Sequence, residues 1–367
     1  MTLILSNDDV KQVLTMEIAM PALEVAYQQI GKREAVCRPR IDIQIPTKDP
    51  QKLYQWGTME GGSISGYFAI RMKSDIVYEG EYEGALTQEK YCVQPGKFCG
   101  LILLISIENG EPLALINDGY LQHIRVGADS GIGVKYMARQ DAQVVGMIGS
   151  GGMARTHAES FLLARKIKKI RVYSPTKTHR EEYAREISDR LGVEVIPMDN
   201  PRDVYKGADI VAGCTDSAVP IIIGKWLEEG THVTCVGGKP DEATLKRIDI
   251  SLRLGNAPAP WGLPELSLPD EYITYSAMPD DDRGFKMKEK GKRAHGVVAE
   301  DRALLLAELL SGSKKGRTSP KQITYSERGN VQGAQFFAVA GKVYELARKK
   351  GLGREIPTDW LLQDIRD

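Results

Sequence analysis

Through the first third of the chain, apolar residues recur in short runs, several alternating with polar ones. IDIQIP (41–46), GYFAIRMKS (66–74), LILLISI (101–107) and PLALIND (112–118) each read as a strand. Pro46, the glycine-rich GTMEGGSISG (57–66) and Asn109-Gly110 supply turn signals between them, the last in a hairpin NGEP. Ahead of these runs, SNDDVKQVLTMEIAMPALEVAYQQIG predicts two short helices, the first opened by Ser6 or Asn7 and the second stopped by Gly31. An α+β unit with a meandering sheet is expected here.

From Leu121 the period changes. HIRVGADSGIGVKYMARQ is helix-like at both ends, and strands then alternate with helices. VVGMIG, KIRVYS, VEVIP, DIVAGCT and THVTCVGG read as strands; GMARTHAESFLLARK, HREEYAREISDRLG, DNPRDVYKGA and IGKWLEEG read as the helices between them. This is the βαβ rhythm of a doubly wound parallel sheet, so the expected class is α/β. Residues 256–295 break the rhythm with Pro, Gly and charge and read as an inserted surface excursion. AEDRALLLAELLSG then resumes as a helix, and GAQFFAVAGKVYELARKKGLG is a long amphipathic helix closed by glycine.

The stretch VVGMIGSGGMARTHAESF (144–161) carries the clearest chemistry. Gly149-Ser150-Gly151 turns the chain between strand and helix, Gly152 and Met153 open the helix, and Ala154 is the third small position. Gly149 permits the turn, Gly151 lets a pyrophosphate approach the backbone, and the helix N-terminus offers amide donors. NAD-binding versions of this motif end the second strand with an acid that holds the ribose hydroxyls. Here that position is Ser174, followed by Thr176, Lys177 and Arg180, with no acid before Glu181. NADP(H) is therefore favoured over NAD(H), because no carboxylate would repel a 2′-phosphate.

Composition narrows the partners. Lys plus Arg equals Asp plus Glu at 49 each, so no net field points to nucleic acid or an anionic membrane. The basic runs KIKKIR and SGSKKGR are short and read as solvated loops. Five scattered cysteines (Cys37, Cys92, Cys99, Cys214 and Cys235) form neither a CxxC pair nor a metal spacing, which suits a reducing, cytoplasmic setting. The N-terminus lacks signal-peptide order, and no apolar run approaches membrane-spanning length, so a soluble protein is expected.

With the loop placed, NDGYLQHIRVGADSGIGVKYMAR, CTDSAVPII and ITYSERGNVQGAQFFAVAGKVYELARKKGLG together resemble the ornithine cyclodeaminase/mu-crystallin family, over roughly 1–255 and 296–355. The resemblance implies a substrate-binding and dimerisation domain from residues 1–122 plus 320–367, and a dinucleotide-binding domain from 123–319. It also implies a homodimer. The chemistry it implies is hydride transfer between a nicotinamide and the Cα of an amino or imino acid, with cofactor contacts extending to Thr215 and Gly237. Basic residues of the first domain would hold a substrate carboxylate; here these are Arg40, in CRPRIDIQIP, and Arg125, whose planar forks fit two oxygens. His123, two residues before Arg125, is the one histidine expected near substrate.

Two positions depart from the family pattern. The lysine of its Gly-Val-Lys strand appears as Arg71, with Lys73 two residues on and on the same strand face. Arginine keeps a carboxylate contact and cannot give up its proton. After the fifth strand of the nucleotide fold, the family aspartate position is Lys239, in VGGKPDE, with Asp241 and Glu242 either reaching back or capping a helix. Lys239, if desolvated beside Arg71, would serve as proton donor. Asp118 reads as a turn residue, while Tyr54, Trp56, Tyr67 and Phe68 are candidates to line the pocket or to pack a core. The leading expectation is an NAD(P)H-dependent reductase or dehydrogenase of a small imino or amino acid. A cyclodeaminase-like lyase that recycles its nicotinamide and a cofactor-loaded binding protein of mu-crystallin type are the alternatives.

Overall fold

The computed structural model describes every residue except 83, 84, 218, 238, 269–271, 279–299, 366 and 367. Half of the excursion at 256–295 thus lies outside the described residues. Strands and helices are numbered in chain order. The first sheet contains β1 (Thr2–Leu5), β2 (Ala35–Cys37), β3 (Arg40–Pro46), β4 (Leu53–Ser63), β5 (Tyr67–Tyr82), β6 (Ala85–Tyr91), β7 (Cys99–Ser106) and β8 (Pro112–Asn117). The parallel sheet follows with β9 (Val144–Ile148), β10 (Lys169–Tyr173), β11 (Glu194–Pro197), β12 (Ile210–Gly213), β13 (His232–Cys235) and β14 (Ile250–Arg253), then β16 (Ala303–Leu305) and β17 (Thr324–Glu327). Two later strands, β15 (Tyr272–Ser276) and β18 (Arg354–Ile356), return to the first sheet. Its spine runs β15-β3-β4-β5-β7-β8-β1-β18, with β2 and β6 beside it, and the second runs β11-β10-β9-β12-β13-β17-β14-β16. Every pairing in the second sheet is parallel.

The helices are α1 (Asn7–Lys11), α2 (Met16–Lys32), α3 (Gly119–Met137), α4 (Gly152–Ala164), α5 (Lys177–Leu191), α6 (Glu242–Arg247), α7 (Leu306–Ser311) and α8 (Gln332–Lys350). Ser6 and Asp9 form a capping box on α1. The helix expected to stop at Gly31 instead runs to Lys32 and is closed by Arg33 at φ 61. Gly31 serves a close approach, since a Cβ there would sit 2.7 Å from the Ala307 side chain. The segments DNPRDVYKGA and IGKWLEEG form only short 3₁₀ turns, at Pro201–Val204 and Gly224–Trp226.

Most of the glycine-rich stretch read as a turn signal is strand, and the turn itself is confined to residues 64–66. β4 runs through Gly57, Gly61 and Gly62 to Ser63. The reason is α8: a Cβ on Gly61 would lie 3.0 Å from the Gly333 carbonyl carbon, so the missing side chains let the helix lie on the strand. Phe336, Phe337, Val339, Ala340 and Val343 of α8 then pack with Leu23 and Ala26 of α2 over Ala69, Ile102 and Leu104 of the first sheet. α3 connects the two sheets and is buried along most of its length.

Two expected boundaries shift. β17 pairs β13 and β14 inside the parallel sheet, so the return of the chain to the first domain begins after Glu327, not at residue 320. β15, inside the excursion, pairs with β3, so this part completes the first sheet rather than decorating the second.

Candidate active site

The dinucleotide cradle sits where the strand order reverses, between β9 and β12. Gly149 has φ 108, and a Cβ on it would run into the Cys214 carbonyl oxygen, so only glycine fits. Gly151 is the N-cap of α4, makes no side-chain cap bond and has open space where its Cβ would be. Open space over a helix N-terminus with unspent amides is what a pyrophosphate needs. Ala154 is fully buried against the sheet core. Gly237 approaches the Thr215 carbonyl so closely that a Cβ would clash, which draws the ends of β12 and β13 together beside the cradle. These residues fit a nicotinamide dinucleotide.

At the end of β10, Ser174 is buried, and its carbonyl oxygen accepts from Arg180 Nη1 at 2.9 Å. Arg180 also donates to Asp199 at 2.5 Å and packs on Tyr173. Lys177 is exposed, 3.7 Å from Glu181, and Thr176 is the N-cap of α5.

On the first sheet, Arg71 and Lys73 of β5 do share the inner face. Arg71 Nε donates to Asp118 Oδ2 at 2.5 Å, both side chains being buried. Asp118 is the N-cap residue of α3 and lies flat over Gly100, where a Cβ would collide with its carboxylate. Lys73 lies over Gly57 in the same manner, since a Cβ there would be 2.7 Å from Lys73 Cε and 2.5 Å from Asp42 Oδ1. Its ammonium donates to Asp75 at 3.0 Å, and Arg40 Nε donates to Asp42 at 2.8 Å. Burial, reinforced by the Arg40 charge, pushes the Lys73 ammonium down from its ordinary 10.5 to about 7.

Arg125 stacks on one ring with Arg71: their guanidinium carbons lie 5.0 and 5.8 Å from the centre of Phe336. It is enclosed, donating to Gln335 and to Gln122 at 2.8 Å, and burial lowers its pKa to about 9. Tyr27 donates to Asp129, and Gln335 Nε2 donates to both Tyr27 and Asp129, tying α2, α3 and α8 together behind the site.

His123 joins the two halves. Its Nδ1 is 2.9 Å from the Gly119 carbonyl, and a Cβ on Gly152 would be 2.9 Å from its Nε2. One turn of α3 therefore runs from Asp118, bound to Arg71, to His123, seated on the opening residue of the cradle. A small cavity of about 20 Å³ lies beside it at the ends of β13 and β17, walled by Asp129, Ser130, Thr234, Cys235, Glu327 and Arg328.

Residues 88–254 match the sequence profile of the ornithine cyclodeaminase/mu-crystallin family. A Delta(1)-pyrroline-2-carboxylate reductase of Bacillus cereus is 28% identical over 264 residues, covering 70% of this chain and 74% of the relative. Solved structures resemble the fold across the whole chain. A Thermococcus litoralis Delta(1)-pyrroline-2-carboxylate reductase, solved with NADH and L-proline, superposes with TM-score 0.71 at 23% identity, covering 97% of this chain and 100% of that one. An archaeal alanine dehydrogenase dimer with bound NAD gives TM-score 0.73 at 24% identity, covering 97% and 99%.

Against the family pattern, the Lys239 loop is the larger surprise. Lys239 is exposed rather than desolvated, and its carbonyl accepts from Ile221 at 3.0 Å. Asp241 is the N-cap of α6, accepting from Thr244 N at 2.7 Å and Gly224 N at 2.9 Å. Glu242 pairs with Lys246 at the surface. The aromatic candidates are also elsewhere. Tyr54, Trp56 and Phe68 alternate onto the outer face of the first sheet, and Tyr67 packs edge-on to Tyr344 of α8. Sequence reasoning left out Asp42, Asp75, Asp129 and Arg328, and took Asp118 for a turn residue. The alternating pattern RIDIQ and RMKSD does place Asp42 beside Arg40, and Asp75 beside Lys73, on one face.

Proposed function

We propose that this protein is an NAD(P)H-dependent oxidoreductase acting at the Cα–nitrogen bond of a small imino or amino acid, of the imino-acid reductase or amino-acid dehydrogenase type. The observation that carries the reading is Lys73: a largely buried lysine, near neutrality, on the sheet that α3 links to the dinucleotide cradle. The bound nicotinamide dinucleotide supplies or accepts the hydride. Arg40 and Arg71 hold the substrate carboxylate, with Arg125 behind Phe336 keeping Arg71 in place. Lys73 Nζ gives a proton to the substrate nitrogen during reduction and takes it back during oxidation, and its pKa matches that task near neutral pH. Asp75 holds the ammonium before transfer, and His123 positions the α3 turn against the cradle. Lys239, exposed, takes no part. The reductase name of the Bacillus relative and the proline and NADH of the Thermococcus complex support the substrate class.

NADP(H) is the preferred form, supported by the lack of an acid at Ser174 and by Thr176 and the exposed Lys177 at the start of α5, while Arg180 is committed to the Ser174 carbonyl and Asp199. Residues 1–122 with the C-terminal return form the substrate domain, and the parallel sheet forms the cofactor domain. Five free thiols suit a cytoplasmic setting, and among the described residues no helix is long and apolar enough to cross a membrane.

The test is consumption of NADPH and NADH with a panel of cyclic imino acids, and of 2-oxo acids with ammonium or methylamine. Consumption with at least one member, more efficient with NADPH, is expected. Stoichiometric cofactor binding with no consumption by any member would overturn the reading, and ammonia release without net cofactor change would replace it with a lyase.

The protein acts as a homodimer closed by the outer face of the first sheet. Ile43, Ile45 and Tyr275 are 39, 44 and 60% exposed on that face, where they meet Trp56. A contiguous apolar face of this kind marks an interface, and the archaeal neighbour is a dimer. Sedimentation should show a dimer for the parent and a monomer for Ile43→Glu/Ile45→Glu. A dimeric double variant would place the interface elsewhere.

A further inference from the structure

Along one edge of β5, β6 and β7 lie end to end: Tyr91 opposes Ile76, and Cys99 opposes Ser74. Between them residues 93–98 leave the sheet as an exposed loop, with Val93 at φ 67 and 90% exposed. The loop is pinned by Cys92 N donating to the Lys97 carbonyl at 2.8 Å and Lys97 N to that of Gln94 at 3.1 Å. Its two ends are cysteines. Both thiols are free and half-buried, and they lie close enough for Cys92 to add to the burial that raises the Cys99 thiol.

We infer that Cys92 and Cys99 form a reversible disulfide site, oxidised by a small disulfide such as oxidised glutathione. Two thiols held side by side at the neck of a loop, at neighbouring places along one strand edge, can form the bond by side-chain rotation and little backbone movement. One cysteine thiolate attacks a sulfur of the reagent and expels its first thiolate, leaving a mixed disulfide. The other cysteine thiolate then attacks the protein sulfur of that mixed disulfide and expels the second. The cysteines lose two electrons together, the reagent is reduced to two thiols, and the two cysteine protons end on those thiols. A disulfide this close to solvent belongs to the readily reduced, regulatory kind. Of the other cysteines, Cys37 and Cys214 are buried within the two cores.

Position gives the bond a consequence. Asp75, partner of Lys73, follows Ser74, which lies opposite Cys99, while Gly100, the floor beneath Asp118, follows Cys99. Drawing the neck together therefore acts on the strand edge that carries the ion pairs of the site.

The chemical test does not depend on the proposed reaction. Reduced full-length protein is equilibrated in buffers of rising oxidised-to-reduced glutathione ratio, acid-quenched, alkylated and digested with trypsin, which cuts after Lys90, Lys97 and Arg125. The expected product is peptide 91–97 linked to peptide 98–125 and lighter by two hydrogens, increasing with the ratio, reversed by dithiothreitol and absent from Cys99→Ser. Only separate glutathione adducts on the two peptides, or alkylation of both thiols at every ratio, would overturn the inference. Turnover measured on the same samples is expected to fall roughly tenfold as the linked fraction approaches one, within the ~100-fold that a 1 Å misplacement costs. Linkage with unchanged turnover would keep the bond and overturn its effect on the site.

Discussion

Lys73→Met should lower turnover of the accepted imino acid by about 100- to 1,000-fold, the range expected for loss of a positioned acid–base group. Cofactor affinity, read from quenching or binding calorimetry, should stay within a few-fold, because the cradle lies on the other sheet. The pH profile is the sharper readout. The Lys73 ammonium titrates at about 7, so kcat/KM for reduction should fall above that pH in the parent, and the inflection should vanish in Lys73→Met. Stability carries the same signature with its sign fixed by proton counts. Between about 7 and the ordinary 10.5 the unfolded chain holds a proton that the folded chain has lost, so this group makes stability rise with pH across that window. Lys73→Met should remove that part of the rise. A variant with near-parental turnover and an unchanged inflection would show that the proton comes from another group.

The choice between Lys73 and Lys239 marks how far the sequence could be read. Both stood as candidate lysines, and the sequence offered an argument for desolvation only at Lys239. What separates them is tertiary: Gly57 and Asp42 fold over Lys73, whereas the Lys239 loop is held by its backbone at Ile221 and leaves its side chain in solvent. The strand, turn and helix N-terminus of the glycine loop were legible because their signals are local, in one continuous stretch. The strand part of GTMEGGSISG, up to Ser63, was missed for the opposite reason. Its glycines answer to α8, which lies far away in sequence, and local punctuation cannot distinguish a turn from a strand that a helix presses upon. Asp118 is similar. Asp-Gly after a strand is a turn signal, and the same two residues start α3, with the carboxylate held by an arginine on another strand. Likewise β15 sits in a stretch without periodicity, and only its pairing with β3 assigns it to the first sheet.

Arg71→Met should destabilise the protein more than any change at the surface, by about 3–5 kcal/mol, the usual cost of leaving one member of a buried ion pair alone. The Asp118 carboxylate has no room to move away, because it is pressed against Gly100 and its side chain is only 6% exposed. Removing the charge as well should recover much of the loss, so Arg71→Met/Asp118→Asn is expected to unfold at a denaturant midpoint closer to the parent than the single variant does. With Asp118→Asn alone completing the double-mutant cycle, the coupling separates the ion pair from the packing of the arginine stem on Phe336, which both Arg71 variants lose equally. Activity should not follow stability. The double variant keeps the fold yet lacks a guanidinium for the substrate carboxylate, so KM should stay raised while the midpoint recovers. If the single variant were within about 1 kcal/mol of the parent, Asp118 would have to be held by other donors or protonated, and Arg71 would be a substrate contact alone. Recovery of both stability and KM in the double variant would remove Arg71 from the carboxylate site and leave Arg40 to hold the substrate.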